Sequence, residues 1–492
     1  MTTVLTIDQS TSATKALLFD ADGGLIDRAS VEHQQYYPQP GWVEHDADEI
    51  YRNTLTAIQT VLARNPALKD DLSFLSITNQ RETIVVFDRA TGQPVYNAIV
   101  WQCRRGEPLC QQLSDAGHDA EVHAVTGLKI DTYFPASKIA WLFAHVPGLQ
   151  ARVRAGEALI GTIDAYLIYR LTGGAVFATD PTNASRTLLF DIHNLRWSEE
   201  LCDLFGVPVA ALPEVRESSA CFGETTLDGL LERPLPLYGV MGDSQAALFA
   251  ERCWRPGLGK VTFGSGSSVL LNIGDTAVLS EGGIVTTVGW RMQGHTTYAF
   301  EGIINFTGAT INWLRDQLQL ISTPAETEAL AQAVPDNGGV YLIPAFVGLS
   351  APYWQPRAKA AIVGLTPAAT RSHVVRAALE SIAYQVKDVL DLMHAESQVS
   401  LENIHADGGM VSNAFLMQFV ADMTQIVVQA SDMPESSALG ATLAGLLGAG
   451  VYATLDDLGT LPHRHHDYKP QRGSEYAQAN YAGWQAAVQQ VL

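Results

Sequence analysis

Short apolar runs of strand length open the chain: Val4–Ile7 and Ala16–Phe19 flank a polar turn of Asp8, Ser10, Thr11, Ser12 and Thr14, closed by Lys15. Run length and β-branched enrichment predict two strands joined as a hairpin. The turn contains no glycine, the usual hairpin residue. It gathers one carboxylate, four hydroxyls and one ammonium instead. Residues 45–63, HDADEIYRNTLTAIQTVLA, then switch to helical spacing, with Asp46 as N-cap and Glu49 three residues on, the capping-box interval. Residues 74–102 return to strand character, with two strands, a Thr91-Gly92-Gln93-Pro94 turn and a further strand. The alternation predicts an α/β layer architecture.

Near the middle the pattern restarts. GKVTFGSGSSVLLNIG, residues 259–274, is again strand, small polar turn and strand, the turn now being Gly264, Ser265, Gly266, Ser267 and Ser268 without an acid. Two such hairpins, one near the start of each half, predict an internal duplication. The boundary falls near Ala250, where CWRPGLG supplies Pro and Gly, giving domains 1–250 and 251–492. A third turn, Asp407-Gly408-Gly409, leads from a short strand into a helix that starts around Asn413. Amides at a helix start, with glycines beside them, suit a phosphate. LGATLAGLLGAG, residues 439–450, is too short to span a membrane and reads as a buried, closely packed helix.

At 492 residues the chain is long enough for two domains with separate cores. A net charge of −21 argues against broad binding of nucleic acid or an anionic membrane, so an anionic ligand needs a small local site. The five cysteines, Cys103, Cys110, Cys202, Cys221 and Cys253, lack metal-type pairing and are expected to be reduced thiols in a cytoplasm. The N-terminus enters a strand directly, without the features of a secretion signal.

Transfer from a triphosphate needs donors around the phosphates, a carboxylate for Mg²⁺ and a base near the acceptor hydroxyl. The first hairpin offers Thr11, Ser12 and Lys15 as donors and Asp8 for the metal, and the second offers amides around Gly264–Gly266. No G-x-x-x-x-G-K-[ST] motif occurs, so this is a hairpin clamp and not a P-loop. Asp243, in YGVMGDSQAALFA, follows a strand end at Gly242 and opens a helix. It reads either as a helix cap or as a general base that Gly242 leaves accessible.

With PGWVEHD (40–46), ITNQRET (77–83), YNAIVWQCRR (96–105), TNASRTLLF (182–190), APYW (351–354), AAIVGLTPAATRSHVVRAALE (360–380) and DGGMVSNAFLMQF (407–419), the chain resembles the FGGY carbohydrate kinases over essentially its whole length. Within them it is most similar to the branch that phosphorylates glycerol. The resemblance implies a two-domain actin-like and hexokinase-like ATPase fold, α/β with duplicated ribonuclease H-like domains and a catalytic cleft between them. It implies ATP, Mg²⁺, a small polyol and a homodimer. By the same resemblance Thr11, Ser12, Ala13 and Lys15 contact the phosphates, and Ser265, Gly308, Asn312, Gly409 and Asn413 complete the ATP site. Asp8 and Asp243 face the metal, and Asp243 is the base. Arg81, Glu82, Trp101 and Tyr133, with Asp243, Ser244 and Ser268, form the polyol pocket, where Arg beside Glu supplies both donor and acceptor.

Two positions depart from the glycerol-specific pattern: Ser244 stands where glutamine is usual and Ser268 where an aromatic is usual. Glycerol is therefore the first expectation, and a four- or five-carbon polyol or ketose the alternative. TLDGLLERPLP, residues 226–236, replaces the loop that binds fructose 1,6-bisphosphate in some members and holds no histidine for phosphorylation, so neither control is expected. Two other classes are an actin-like ATPase without a small substrate and a non-catalytic sugar-binding relative. The set Arg81, Glu82, Tyr133 and Asp243 speaks against the first, and retention of Asp8 and Asp243 against the second. HRHH, residues 463–466, lies between Pro462 and Pro470 and reads as a loop, not a metal site. Mg²⁺ arriving with ATP is the only ion expected.

Overall fold

The computed structural model describes residues 2–433 and 435–492. The opening apolar runs form the expected hairpin: β1 (Thr3–Gln9) pairs antiparallel with β2 (Ala13–Asp20), Asp8 opposite Lys15 and Gln9 opposite Thr14. Every residue of β1 is buried, because the sheet is covered on both faces. Leu5 and Ile7 join the core beneath α1 (Ala47–Arg64), while Val4 packs on the other side. Asp46 caps α1, accepting from Asp48 N at 2.9 Å. Glu49 does not close a capping box; it accepts from Gln34 N at 3.3 Å and ties down the incoming chain.

With β3 (Leu25–Glu32), β4 (Leu72–Asn79), β5 (Cys221–Thr225) and β6 (Leu235–Gly242), the first sheet has the order β5-β6-β4-β1-β2-β3. Its β1/β4 and β4/β6 pairs are parallel. The second sheet is built from β7 (Leu258–Phe263), β8 (Ser267–Gly274), β9 (Val285–Met292), β10 (His295–Ile304), β11 (Asn403–Asp407), β12 (Val427–Ser431) and β13 (His465–Tyr468). Its order is β9-β10-β8-β7-β11-β12-β13, with β7/β11 and β11/β12 parallel. Apart from the added β9, the two sheets correspond strand for strand, down to the antiparallel edge strands β5 and β13. The duplication expected from the two hairpins is thus present in strand order and direction. Part of HRHH belongs to β13, so the loop reading of that motif is corrected: His465 and His466 are strand residues paired with β12.

Between β4 and β5 the chain inserts three strands of a smaller four-stranded sheet, in which residues 84–88 run antiparallel to 158–162, together with several helices; the fourth strand, residues 44–45, comes from the segment before α1. This insertion carries Trp101 and Tyr133. Two helices lie where the halves meet, α2 (Asp243–Ala250) directly after β6 and α6 (Ser436–Gly448) late in the chain; α3 (Gly308–Asp316), α4 (Arg371–Ser397) and α5 (Ala414–Thr424) lie between them in sequence. The small residues of α6 serve close packing: a Cβ on Gly440 would lie 1.8 Å from the Ala246 carbonyl oxygen of α2. No helix among the described residues is long and apolar enough to cross a membrane.

Candidate active site

The parallel strands of both sheets point their carboxyl ends at one cleft of about 1180 Å³, the usual place for a ligand in an α/β fold. Asp8, Thr11, Lys15, Arg81, Glu82, Trp101, Tyr133, Asp243, Ser244 and Ser268 all line it. Ser12, Ala13, Ser265, Gly308, Asn312, Gly409 and Asn413 do not, although their neighbours Gly266, Gly408 and Val411 do. The geometry gives several of these residues structural work. The turn Gly264-Ser265 docks on the start of α3, with Gly308 N donating to Gly264 O at 3.0 Å and Ala309 N to Ser265 O at 2.9 Å. A Cβ on Gly308 would meet Gly264 O at 2.6 Å, so that contact requires glycine. Asn413 caps α5, accepting from Leu416 N at 2.9 Å. Gly409 has open space at its Cα, with no atom of the described residues within 4 Å of an added Cβ.

On the wall formed by Arg81, Glu82 and Tyr133 the structure shows more charge than the sequence suggested. Arg81, which by its sequence alone reads as an exposed ion-pairing residue, is 5% exposed. Its guanidinium grips Glu301 with two bonds of 2.7 and 3.1 Å and donates to Gln245 Oε1 at 3.1 Å. Arg186, fully buried, donates to Glu82 Oε1 at 2.6 Å and lies 2.8 Å from Glu301 Oε2. Glu82 closes the circuit 3.9 Å from Arg81. Four buried charges thus alternate in sign. Burial opposes ionisation of Glu301, but Arg186 and Arg81 outweigh it and hold that carboxyl down at about 2. At Glu82 burial wins over the same two arginines, and its carboxyl sits above the usual range.

Asp243 stands out because it is open, its carboxylate 37% exposed to the cleft and 3.2 Å from Arg81 Nε. It starts α2, and its Oδ1 accepts from Ser244 N at 2.7 Å. Gly242 before it serves a purpose other than the one read from sequence: a Cβ there would lie 2.7 Å from both Cγ and Cδ of Arg81. Gly242 therefore makes room for Arg81 to pass.

Trp101 Nε1 donates to Thr11 Oγ1 at 3.0 Å, joining the first hairpin to the inserted segment, and the Trp101 and Tyr133 rings meet edge to face at 5.4 Å. Lys138, fully buried, donates to the carbonyls of Tyr133 at 2.8 Å and Trp101 at 3.3 Å and so fixes both aromatic segments. Burial pulls its ammonium down to about 7, against the attraction of Glu82. On the opposite wall Ser268 Oγ lies 3.4 Å from Glu301 Oε1. In the first hairpin Asp8 is 6% exposed and 3.6 Å from Lys15 Nζ. Burial raises its carboxyl to about 6; Lys15 works against this, while Glu435 and Asp243 add to it. Lys15 is itself held by Glu435 Oε2 at 2.5 Å.

Sequence reasoning missed Glu301, Arg186, Lys138 and Glu435. Three carried a signal, being charges set in apolar stretches, in AFEGII, SRTLLF and ASKIAWLF. Such charges persist in a core only when paired. Glu435 had no local signal.

The model of the N-terminal domain of the FGGY family of carbohydrate kinases matches residues 3–250, and that of its C-terminal domain residues 259–449. Glycerol kinase 1 of Thermotoga maritima is 47% identical over 489 residues, covering 99% of each chain. The glycerol kinase of Rhodospirillum rubrum is 47% identical over 488 residues, covering 99% of this chain and 98% of its own. The crystal structure of Plasmodium falciparum glycerol kinase with ADP superposes with a TM-score of 0.95 at 34% identity, over 100% of this chain and 98% of that one. A ligand-bound xylulose kinase from Lactobacillus acidophilus, 20% identical with a TM-score of 0.88 over 98% and 96% of the chains, shares the fold.

Proposed function

The chain belongs to the FGGY family of carbohydrate kinases, and we propose that it transfers the γ-phosphoryl group of ATP to a terminal hydroxyl of glycerol. The observation that carries this reading is the open Asp243 carboxylate, 3.2 Å from Arg81 Nε in a cleft whose neighbouring charges are buried and paired. A hydroxyl placed against Asp243 gives up its proton there as its oxygen attacks phosphorus. Arg81 holds the carboxylate in place, and the Trp101 and Tyr133 rings cover the carbon skeleton. Lys15 and the turn around Thr11 face the phosphates from 1–250, and the amides around Gly266 and Gly408 face them from 251–492. The relatives named glycerol kinase support glycerol as the acceptor.

Asp8 and Asp243 fit Mg²⁺. They offer carboxylate oxygens, the donors this ion prefers, and their mutual repulsion, which contributes to the raised carboxyl of Asp8, is of the kind a divalent cation relieves. When bound, the ion would neutralise phosphate charge. A second reading rests on Ser244 and Ser268, two short hydroxyl side chains that line the cleft. They leave length for a four- or five-carbon polyol, whose extra hydroxyl meets Ser268 beside Glu301.

A coupled assay of ADP release with glycerol and with four- and five-carbon polyols tests both readings. Glycerol-dependent release, lowered by about 10²–10⁴ in Asp243→Asn, supports the assignment. Undiminished turnover of Asp243→Asn at saturating acceptor sinks it. A higher kcat/KM for a longer polyol, reversed by Ser268→Phe, selects the second reading.

A further inference from the structure

Behind the nucleotide loop lies a group of side chains that phosphoryl transfer does not use. Glu251 follows the last residue of α2, His405 sits in β11 two residues before Asp407, and His463 leads into β13. One ligand atom from each lies within 4.8 Å of those of the other two. His463 Nε2 is 3.2 Å and His405 Nδ1 3.8 Å from the same oxygen, Glu251 Oε2. Glu251 is fully buried, His405 is 5% exposed, and the His463 side chain is 10% exposed.

His405 Nδ1 is buried without a hydrogen-bond partner among the described residues. At 3.8 Å from the carboxylate it is beyond hydrogen-bond range, and such an orphaned polar atom is costly in a core. The separations suit a shared ion. Imidazole and carboxylate ligands about 2.0–2.2 Å from a tetrahedral zinc-type ion stand roughly 3.3–3.5 Å from one another, and the observed 3.2 and 3.8 Å bracket that spacing.

The surroundings hold the three ligands in position. Ser436 Oγ donates to the other carboxylate oxygen, Glu251 Oε1, at 3.3 Å. Arg252, next in the chain, donates to the carbonyls of Gly459 at 2.8 Å, Leu461 at 2.6 Å and Pro462 at 3.1 Å, and so fixes the backbone that presents His463. Partners of this kind orient the ligands of known metal sites.

We propose that Glu251, His405 and His463 form a structural binding site for a divalent transition-metal ion of the zinc type. Two imidazoles and one carboxylate favour such an ion over Mg²⁺, which prefers oxygen alone. The fourth position is open to water or to His465, whose ring is 5.3 Å from that of His463. The ion would tie the helix that starts at Asp243 to the strand that ends at Asp407. The spacing within HRHH, which counts against a metal on a single helix, does not matter when the ligands come from three segments.

The test uses the full-length protein, stripped with chelator and returned to Mg²⁺ buffer. Zn²⁺ is titrated in by calorimetry, Co²⁺ serves as a visible-absorption probe, and thermal unfolding is followed with each ion. The expected result is one Zn²⁺ per chain, a tetrahedral Co²⁺ spectrum, and a melting midpoint raised by Zn²⁺ but not by further Mg²⁺. His463→Gln keeps a donor toward Glu251 and should bind Zn²⁺ at least about 10–100-fold more weakly, the loss that follows removal of even an outer partner, with Mg²⁺-dependent kinase turnover retained. His405→Gln should do the same; if it does not fold, His463→Gln decides alone. Absence of stoichiometric binding overturns the proposal. So does equal Zn²⁺ affinity in the wild type and His463→Gln, which places the ion elsewhere, such as at Asp8 and Asp243.

Discussion

Gly242→Ala isolates the contact on which the proposed base depends. Gly242 has φ −62° and ψ 145°, an ordinary extended conformation for alanine, so backbone strain does not enter. What enters is a methyl group 2.7 Å from Cγ and Cδ of Arg81 and 3.3 Å from Gln245 Oε1. Carbon atoms pack at about 3.5–4.0 Å, so Arg81 must retreat by roughly 1 Å. It cannot do so freely. Its head is fixed to Glu301 at 2.7 and 3.1 Å and to Gln245 at 3.1 Å, and it stands 3.2 Å from Asp243. Overpacking of this kind costs about 1–3 kcal/mol, and a misplacement of about 1 Å in a reacting constellation costs about 100-fold in rate. The expected outcome is a kcat/KM for the polyol about 100-fold lower, an almost unchanged KM for ATP, and a stability loss seen by guanidinium denaturation. If kcat/KM stays within about threefold of wild type, equivalent to less than about 0.7 kcal/mol, with stability unchanged, then Arg81 does not govern Asp243 and the reasoning fails.

The Asp8 carboxyl is raised from 3.8 to about 6 by burial, against the pull of Lys15. Folded protein therefore keeps this proton in the window from pH 3.8 to about 6, where the unfolded chain has lost it, and stability falls as pH rises through that window. Asp8→Asn should melt higher than wild type at pH 8, by at most about 3 kcal/mol, with the advantage gone below about pH 4 and turnover lost; equal melting at pH 8 contradicts this. Arg186→Met removes the arginine that hydrogen-bonds Glu82 and one of the two that hold Glu301, and should cost about 3–5 kcal/mol, read from urea midpoints, whereas a loss under about 1 kcal/mol would mean the four-charge circuit is not a unit. Lys138→Met removes the donor to the carbonyls of Trp101 and Tyr133 and should raise KM for the polyol by about 5–10-fold, one hydrogen bond's worth, while KM for ATP stays put; equal rises in both constants would show a general structural loss.

What was legible in the sequence was what is local. The strand-turn-strand pattern at the start of each half is written in consecutive residues, and so are the cap at Asp46 and the small residues that let α6 pack on α2. The hairpin carboxylate, the acid after Gly242 and the Arg81-Glu82 pair were legible as residues but not as environments. Nothing near Arg81 announces that Glu301, 220 positions on, will take both its guanidinium arms, or that Arg186, 104 positions on, will claim Glu82. Gly242 was read as opening access to Asp243, because the side chain that needs its missing methyl is distant in sequence. HRHH was read as a loop for the same reason, since β12, which pairs with His465 and His466, lies on another segment.

The duplication explains why the two hairpins look alike yet differ in chemistry. In each, the second residue pair back from the turn faces the cleft: Asp8 opposite Lys15 in the first sheet, Thr262 opposite Ser268 in the second. Ser268 thus holds in the second half the place that Lys15 holds in the first. The pair on one wall is a carboxylate and an ammonium, the groups proposed above for the metal and the phosphates, whereas the equivalent pair on the other is two hydroxyls, Thr262 bonded to Lys260 and Ser268 beside Glu301. A change at 268 therefore alters the wall without disturbing the charges proposed for phosphate binding. That separation is why substrate preference should respond to Ser268→Phe while ATP dependence does not, and a Ser268→Phe protein whose KM for ATP rose along with that for the polyol would show that the two walls are not independent.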